Sequence, residues 1–391
     1  MAAIAPLNPN DCLGRKIGYS VGLENLLDNA LELTSIYVQQ RSLSFATWDA
    51  LVKNTFARKE SAVQDIANFF STLNLIRIIS RELHVLHGLD SLSVMRRYFA
   101  DDETFKKAAR FLLLHAILEA DGDVFLSTLA GNFKYEESRY QLERMVMWKW
   151  SRLAKVFKNR ELQKRIWDIV AIKSQGPSQK RQNAFEARKG PSPFEPRRQP
   201  FGEEPSKDFR VADSYLDKVL PTRKGWARDL LLFSESGKSS LAERILDKLP
   251  SIGVGSGDGV FFFWPYERDL ARLRIDPSTL ETRPLTDWEL LQTLAAAANR
   301  PEASRTLTDD EVIDQLRKFH SLYQAGSAGR GQIRHQLPLF MAKPLIAAAA
   351  IANQCQVPSL IEIVEREARS KHRRLTVTNV RGTDGALIFS R

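Results

Sequence analysis

Apolar positions recur at helical spacing over Leu23–Gln40, where Leu23, Leu26, Leu27, Ala30, Leu31 and Thr34 fall on one face. A second helix is expected over Phe45–Phe56, with Ser44 placed to cap it. A third is expected over Lys59–Phe70, with Val63, Ile66, Ala67 and Phe70 on one side. The pattern then changes. Leu75–Ile79 and Leu83–Leu86 are short β-prone runs around the polar pair Arg81-Glu82, which predicts a small hairpin. Phe105–Ala120 reads as a strongly apolar helix that breaks at Asp121-Gly122-Asp123. A short helix over Leu126–Asn132 and a long one over Glu136–Phe157 follow.

Further on, Trp226–Phe233 and Ser239–Leu249 read as short helices on either side of a polar turn. Gly253–Gly259 is a glycine-rich turn before a dense β-type run, Val260–Trp264. Helices are expected over Asp287–Ala298, Asp309–Tyr323 and Ala342–Asn353, with Thr286 and Thr308 as caps. The last segment is the most explicit. Pro358 leads into an amphipathic helix over Ser359–Arg369. Strands over Arg374–Val380 and Ala386–Ser390 then flank a turn that contains Asp384-Gly385, a strong hairpin signal.

Lys173–Asp213 has no apolar periodicity and is rich in Pro, Gly, Gln and charge, so it is expected to be a flexible linker. The expected organisation is an N-terminal arm (1–22), a helical module with a hairpin (23–100) and a helical module with a basic long helix (101–172). The linker (173–213), a helix-turn-helix-like module (214–284) and a helical module ending in a hairpin (285–391) follow. The fold class is mainly α with small β-hairpins.

Of 391 residues, 43% are hydrophobic, enough for real cores and too many for wholesale disorder. Two cysteines make neither a disulfide framework nor a zinc ribbon and suit a reducing compartment. The opening MAAIAPLNPNDCLGRK lacks the charge and apolar order of a signal peptide, and Pro344–Asn353 is far short of a membrane span. A soluble, cytoplasmic protein with no membrane partner is expected.

Charge changes the picture more. Lys134–Arg198 carries 17 Lys and Arg against 7 Asp and Glu, an excess equal to the +10 of the whole chain. A basic stretch of this density is the electrostatic footprint of a polyanion partner. Within it, Lys149, Arg152, Lys155, Lys158, Arg160, Lys164 and Arg165 interleave with Trp148, Trp150 and Phe157. The cations suit phosphates; the aromatics, at helical spacing, suit a core.

Catalytic signals are weak. Ser234–Ser239 ends in Gly237-Lys238-Ser239, like a phosphate loop, but Leu232 stands where the loop needs its first glycine. If Lys238 meets phosphate, DNA backbone is the expected source. His84 and His87 fall in an expected strand and would face opposite sides, so they are poor joint metal ligands. Asp121 and Asp123 lack the further acidic ligands of a calcium loop. Asp258 and Glu267 flank the β-type run vaguely as in a nuclease, without the lysine expected beside them. A protein without catalytic residues, metal or cofactor is expected, with a nucleotide-hydrolysing or nuclease role ranked third.

Three helices closed by a hairpin over Leu23–Gly88 resemble a winged-helix domain, with Asp65–Ile79 resembling a recognition helix that runs into its wing. The last helix and basic hairpin resemble a second one. Residues 101–172 either form a further helix-turn-helix or simply place a long basic helix on the first unit. The resemblance implies tandem winged-helix-type modules joined by the basic linker, with duplex DNA and other subunits of a complex as partners. In the first module, Arg58, Lys59 and Gln64 would lie near the start of the recognition helix. Lys371, Arg373, Arg374 and Arg381 would lie at the base and tip of the C-terminal wing. The expected function is non-catalytic, backbone-dominated DNA binding as an accessory subunit of a bacterial DNA-processing or defence complex. The alternative is a scaffold whose winged helices bind partner subunits.

Overall fold

A computed structural model describes residues 25–56, 63–156, 210–248, 287–298, 305–327, 336–370, 373–378 and 385–390. These are mainly helical with small strand pairs, and they fall into two compact units. One unit draws on Asn25–Ala116 and Leu291–Arg391, the other on Ile117–Leu290. The units therefore regroup the linear segments on either side of 173–213.

In the first unit, α1 (Leu26–Gln40) buries Leu26, Leu27, Ala30, Leu33, Thr34 and Tyr37. Leu31 is only half-buried; the buried stripe drifts toward Leu33 and Tyr37 instead. Ser44 caps α2 (Phe45–Ala50), its hydroxyl accepting from the Thr47 amide at 3.1 Å. A wider π-helical turn, Leu51–Thr55, continues it. α3 (Val63–Thr72) turns Ile66, Ala67, Phe69 and Phe70 inward, and Trp48, Phe56 and Phe70 pack edge-on and tilted at 5.6–6.1 Å. β1 (Ile76–Ile79) and β2 (Glu82–Val85) pair antiparallel, Arg77 opposite His84. The turn is Ser80-Arg81, one residue earlier than expected. Both residues have positive φ, 51° and 64°, which gives a hairpin twist that matches the strands.

The chain then enters a helix that the apolar pattern does not announce, α4 (His87–Tyr98). Every residue from Leu89 to Met95 is buried. Gly88 sits at its start because a Cβ there would lie 2.6 Å from the Asn74 carbonyl oxygen. The buried polar groups are matched: Tyr37 donates to Asp90 at 3.0 Å and Ser91 donates to the His87 carbonyl at 2.9 Å. α4 packs on α1 and on α10 (Asp309–Ser327), where the rings of Tyr98 and Phe319 meet edge-on at 4.9 Å. Fully burying a side chain of this kind stabilises by about 1.5–3 kcal/mol.

The C-terminal part of this unit has the order α10, β6 (Leu337–Pro338), α11 (Leu339–Ala352), β7 (Cys355–Gln356), α12 (Leu360–Arg369), β8 (Leu375–Thr378), β9 (Ala386–Phe389). β6 pairs with β9, and β9 with β8, all antiparallel. A short parallel pair joins β5 (Arg305–Thr306) to β7 (Cys355–Gln356). Thr308 and Glu311 close a reciprocal cap on α10: the Thr308 amide donates to Glu311 at 2.9 Å, and the Glu311 amide donates to the Thr308 hydroxyl at 3.3 Å. Among the described residues, no helix is long and apolar enough to cross a membrane.

α5 (Asp102–Ala130) is two helical stretches joined across a kink at Asp121, where the sequence places its break. Asp121 alone leaves helical geometry, at φ −142° and ψ 18°. The physical reason lies in the second unit. The Asp121 carboxylate accepts from Arg223 Nε at 2.7 Å, with side chains only 1% and 3% exposed. Arg223 belongs to α7 (Asp213–Asp229), a helix that starts 13 residues before the expected Trp226, and its guanidinium lies 5.3 Å from the Trp226 ring. Gly131 lets α5 turn tightly into α6 (Tyr135–Val156); a Cβ there would lie 2.5 Å from the Ser138 amide. Arg139 on α6 bonds Asp213 on α7, and Glu143 accepts from the Val211 amide at 3.0 Å. The segment expected as helix, turn, helix is instead α7, a two-residue-strand hairpin of β3 (Phe233–Ser234) and β4 (Gly237–Lys238), then α8 (Ser240–Lys248). α9 (Asp287–Ala298) is the remaining described helix. The expected glycine-rich turn, the Val260–Trp264 run, Asp258, Glu267 and the Thr286 cap lie outside the described residues.

Breaking a buried ion pair by removing one partner costs about 3–5 kcal/mol, because a charge is left uncompensated. Arg223→Ala is therefore expected to lower the unfolding free energy of the unit containing Asp121, read from its urea transition, by an amount in that range. A midpoint equal to wild type would show that Asp121 does not depend on Arg223.

Candidate nucleic-acid interface

The β1–β2 hairpin is built to hold basic groups in water. Strand alternation sends Ile76 and Ile78 to the core and Arg77 and Ile79 outward, Ile79 remaining 46% exposed. Register places His84 across from Arg77, and the tight turn puts exposed Arg81 at the tip. Neither Arg77 nor Arg81 makes an ion pair with another described residue, while His84 lies 3.9 Å from Glu82. Sequence reading passed over these arginines because it sought cations at the start of the third helix. The signal was present: alternating Ile and Arg before a polar turn.

The third helix buries Val63, Ile66, Ala67, Phe69 and Phe70 and leaves Asn68, Ser71 and Thr72 half-exposed. Gln64 lies in its first turn, and Arg58 and Lys59 lie outside the described residues.

The C-terminal module handles charge in the opposite way. Arg366 on α12 grips Asp309 with two bonds of 2.7 Å, Nε to one oxygen and Nη2 to the other. Arg374 donates to Asp310 at 2.7 Å and to Glu367 at 2.6 Å, and its amide donates to Glu367 at 3.0 Å. Arg369 lies 3.9 Å from Glu365. The first turn of α10 thus receives the arginines of α12 and of the approach to β8. Arg373 is exposed; Lys371 and Arg381 lie outside the described residues. Arg374, expected at the wing base as a DNA contact, is engaged within the chain.

Lys238 is engaged too. Its ammonium donates to the Ala130 carbonyl at 3.2 Å, at the end of α5 where helical carbonyls lack internal partners. Gly237 and Lys238 form a strand opposite Phe233 and Ser234, a placement unlike a phosphate cradle. Lys149, Arg152 and Lys155 occupy the last turns of α6, while Lys158, Arg160, Lys164 and Arg165 lie outside the described residues. His84 is on β2, but His87 opens α4, where its ring lies 4.5 Å from that of Phe340; the two do not share a strand. Among the described residues no group of three or more His, Cys, Asp or Glu could hold a metal ion.

No protein-family model, curated protein or solved structure matches the chain.

Hydrogen bonds and charge from Arg366 hold the Asp309 carboxyl below its ordinary range, and Arg374 does the same for Glu367. Both carboxyls therefore bind protons more weakly folded than unfolded. Their contribution is complete above the ordinary carboxylate pKa of about 4 and is lost as pH falls through the lower folded values. The unit holding this cluster is expected to lose unfolding midpoint as the pH falls below about 4. Arg374→Gln is expected to shrink that loss. An identical pH profile in the variant would contradict the assignment.

Proposed function

We propose that this protein is a non-catalytic DNA-binding subunit whose contacts are dominated by the phosphate backbone. The observation that carries the reading is the β1–β2 hairpin, with Arg77 and Arg81 exposed and unpaired among described residues on a rigid turn. Three helices, the last followed at once by this hairpin, keep the order of a winged-helix domain, in which the hairpin is the wing. The C-terminal order of helix, strand, helix, short strand, helix and hairpin supports the same reading, because the strand β6 pairs with the second hairpin strand. The charge excess over Lys134–Arg198, including Lys149, Arg152, Lys155, Lys158, Lys164 and Arg165, adds a second, sequence-independent attraction for phosphate.

A second reading is favoured for the C-terminal module alone. α12 exposes Ile361, Glu362 and Glu365, while Arg366 and Arg369 face carboxylates. A surface of mutually paired charges around an exposed isoleucine offers phosphate few unpaired cations and suits a protein partner. Partner subunits of a DNA-processing or defence complex would dock there, while the N-terminal wing and the basic segment hold DNA.

Purified protein is expected to retard a duplex of arbitrary sequence in a native gel at about 100 mM salt and to release it steeply toward 200 mM, as counterion release requires. Retardation at no salt concentration, for the wild type and for a deletion of 173–213 alike, would overturn the reading.

A further inference from the structure

The outer face of the β1–β2 hairpin carries one titratable group that the proposed function leaves unused. Register sets His84 opposite Arg77 and Glu82 opposite Ile79. These four residues are exposed, whereas Ile76 and Ile78 are buried and Leu83 and Val85 are half-buried. Strand alternation thus puts the four on one face, where directly opposite Cβ atoms lie about 4.5–5.5 Å apart. His84 Nε2 is 3.9 Å from a Glu82 carboxylate oxygen, and exposed Arg81 stands at the tip. α3, packed against β1, adds no described charged side chain to this face. α4 begins beyond β2 with half-buried His87, and its first charged residue, Asp90, is buried against Tyr37. With a neutral imidazole, Glu82 offsets one of the two arginines and the hairpin carries a net +1; with a protonated one it carries +2.

We infer that protonated His84 is a third phosphate contact of this hairpin, so that duplex binding tightens and grows more salt-dependent as pH falls. The inference rests on the proposed DNA-binding function and adds its regulation. Histidine is the side chain whose charge ordinarily changes between pH 5 and 8. A neutral imidazole releases no counterion from DNA, whereas an imidazolium neutralises a phosphate as lysine or arginine does. Arg77 sets the place, because a phosphate that meets its guanidinium lies beside the ring across the strand pair. Glu82 is the near counter-charge of the imidazolium until a phosphate takes over that role. The sign follows from linkage: phosphate favours the protonated ring, so the added affinity is complete below the ordinary histidine range and is lost above it. Among the other described histidines, His87, His115 and His320 are half-buried in helices, away from the hairpin strands.

Fluorescence anisotropy with a short labelled duplex, titrated with salt at about pH 5.5 and at about pH 8, tests this. In the wild type the slope of log binding constant against log salt is expected to be steeper by about one at the lower pH. In His84→Gln the two slopes are expected to be equal. His84 is exposed, so the variant is expected to keep the wild-type circular dichroism spectrum. Both conditions lie above the range in which the Asp309 and Glu367 carboxyls take up protons, so the C-terminal cluster stays intact in each. A wild-type slope that does not change with pH would overturn the inference, as would a change that His84→Gln retains; either result leaves the proposed function standing. Wild type binding duplex at neither pH would overturn both.

Discussion

The burial of α4 is the constraint on which the first unit depends. Seven consecutive residues, Leu89 to Met95, are removed from water, so the helix needs neighbours on every side. α1 covers one side and α10 another, and the latter lies more than 200 residues further along the chain. The hydrophobic effect, which has no regard for sequence distance, thus draws the first and last segments into one core. The hairpin β1–β2 is anchored by the same event. Gly88 accepts close approach to Asn74, and the Leu86 amide donates to Leu75 at 2.9 Å, which fixes the strands to the start of α4. A hairpin held this way presents exposed Arg77 on its first strand and exposed Arg81 at its tip.

That unit divides its arginines into two populations. Those of α12 and the entry to β8 face Asp309, Asp310, Glu365 and Glu367, and they act as internal ties between helix and hairpin. Ion pairs of this exposed kind contribute little individually, and their value here is orientation across a network. The arginines of the N-terminal hairpin make no such ties among described residues. The two modules therefore offer different surfaces, one with hairpin arginines unpaired among the described residues and one whose arginines are tied to carboxylates. An adaptor that holds nucleic acid with one face and a protein with another requires that asymmetry.

Much of the architecture was legible in the sequence. Ser44, Thr308 and Ser359 mark helix starts, and the side chains of Ser44 and Thr308 bond the third amides beyond them at 3.1 and 3.3 Å. Hairpins announced by strand alternation or by Asp384-Gly385 fall within a residue or two of expectation. α4 was not legible, because Asp90, Ser91 and Ser93 interrupt its apolar pattern; Asp90 is buried against Tyr37, 53 residues away, and Ser91 against the His87 carbonyl of its own helix. The break at Asp121 was legible, but its partner was not, because Arg223 lies 102 residues away. The candidate cations were the least legible. Local sequence shows that Arg374 and Lys238 are basic, but not that Asp310, Glu367 and the Ala130 carbonyl already hold them.

The central claim is that the N-terminal hairpin, and not the C-terminal module, meets phosphate. The most direct measurement is the slope of log binding constant against log salt for a duplex, compared across two paired variants. Arg77→Ala with Arg81→Ala is expected to reduce the slope by about two, one for each lost phosphate contact, while Arg366→Ala with Arg374→Ala leaves it unchanged. A slope unchanged in the first pair and reduced in the second would contradict the account.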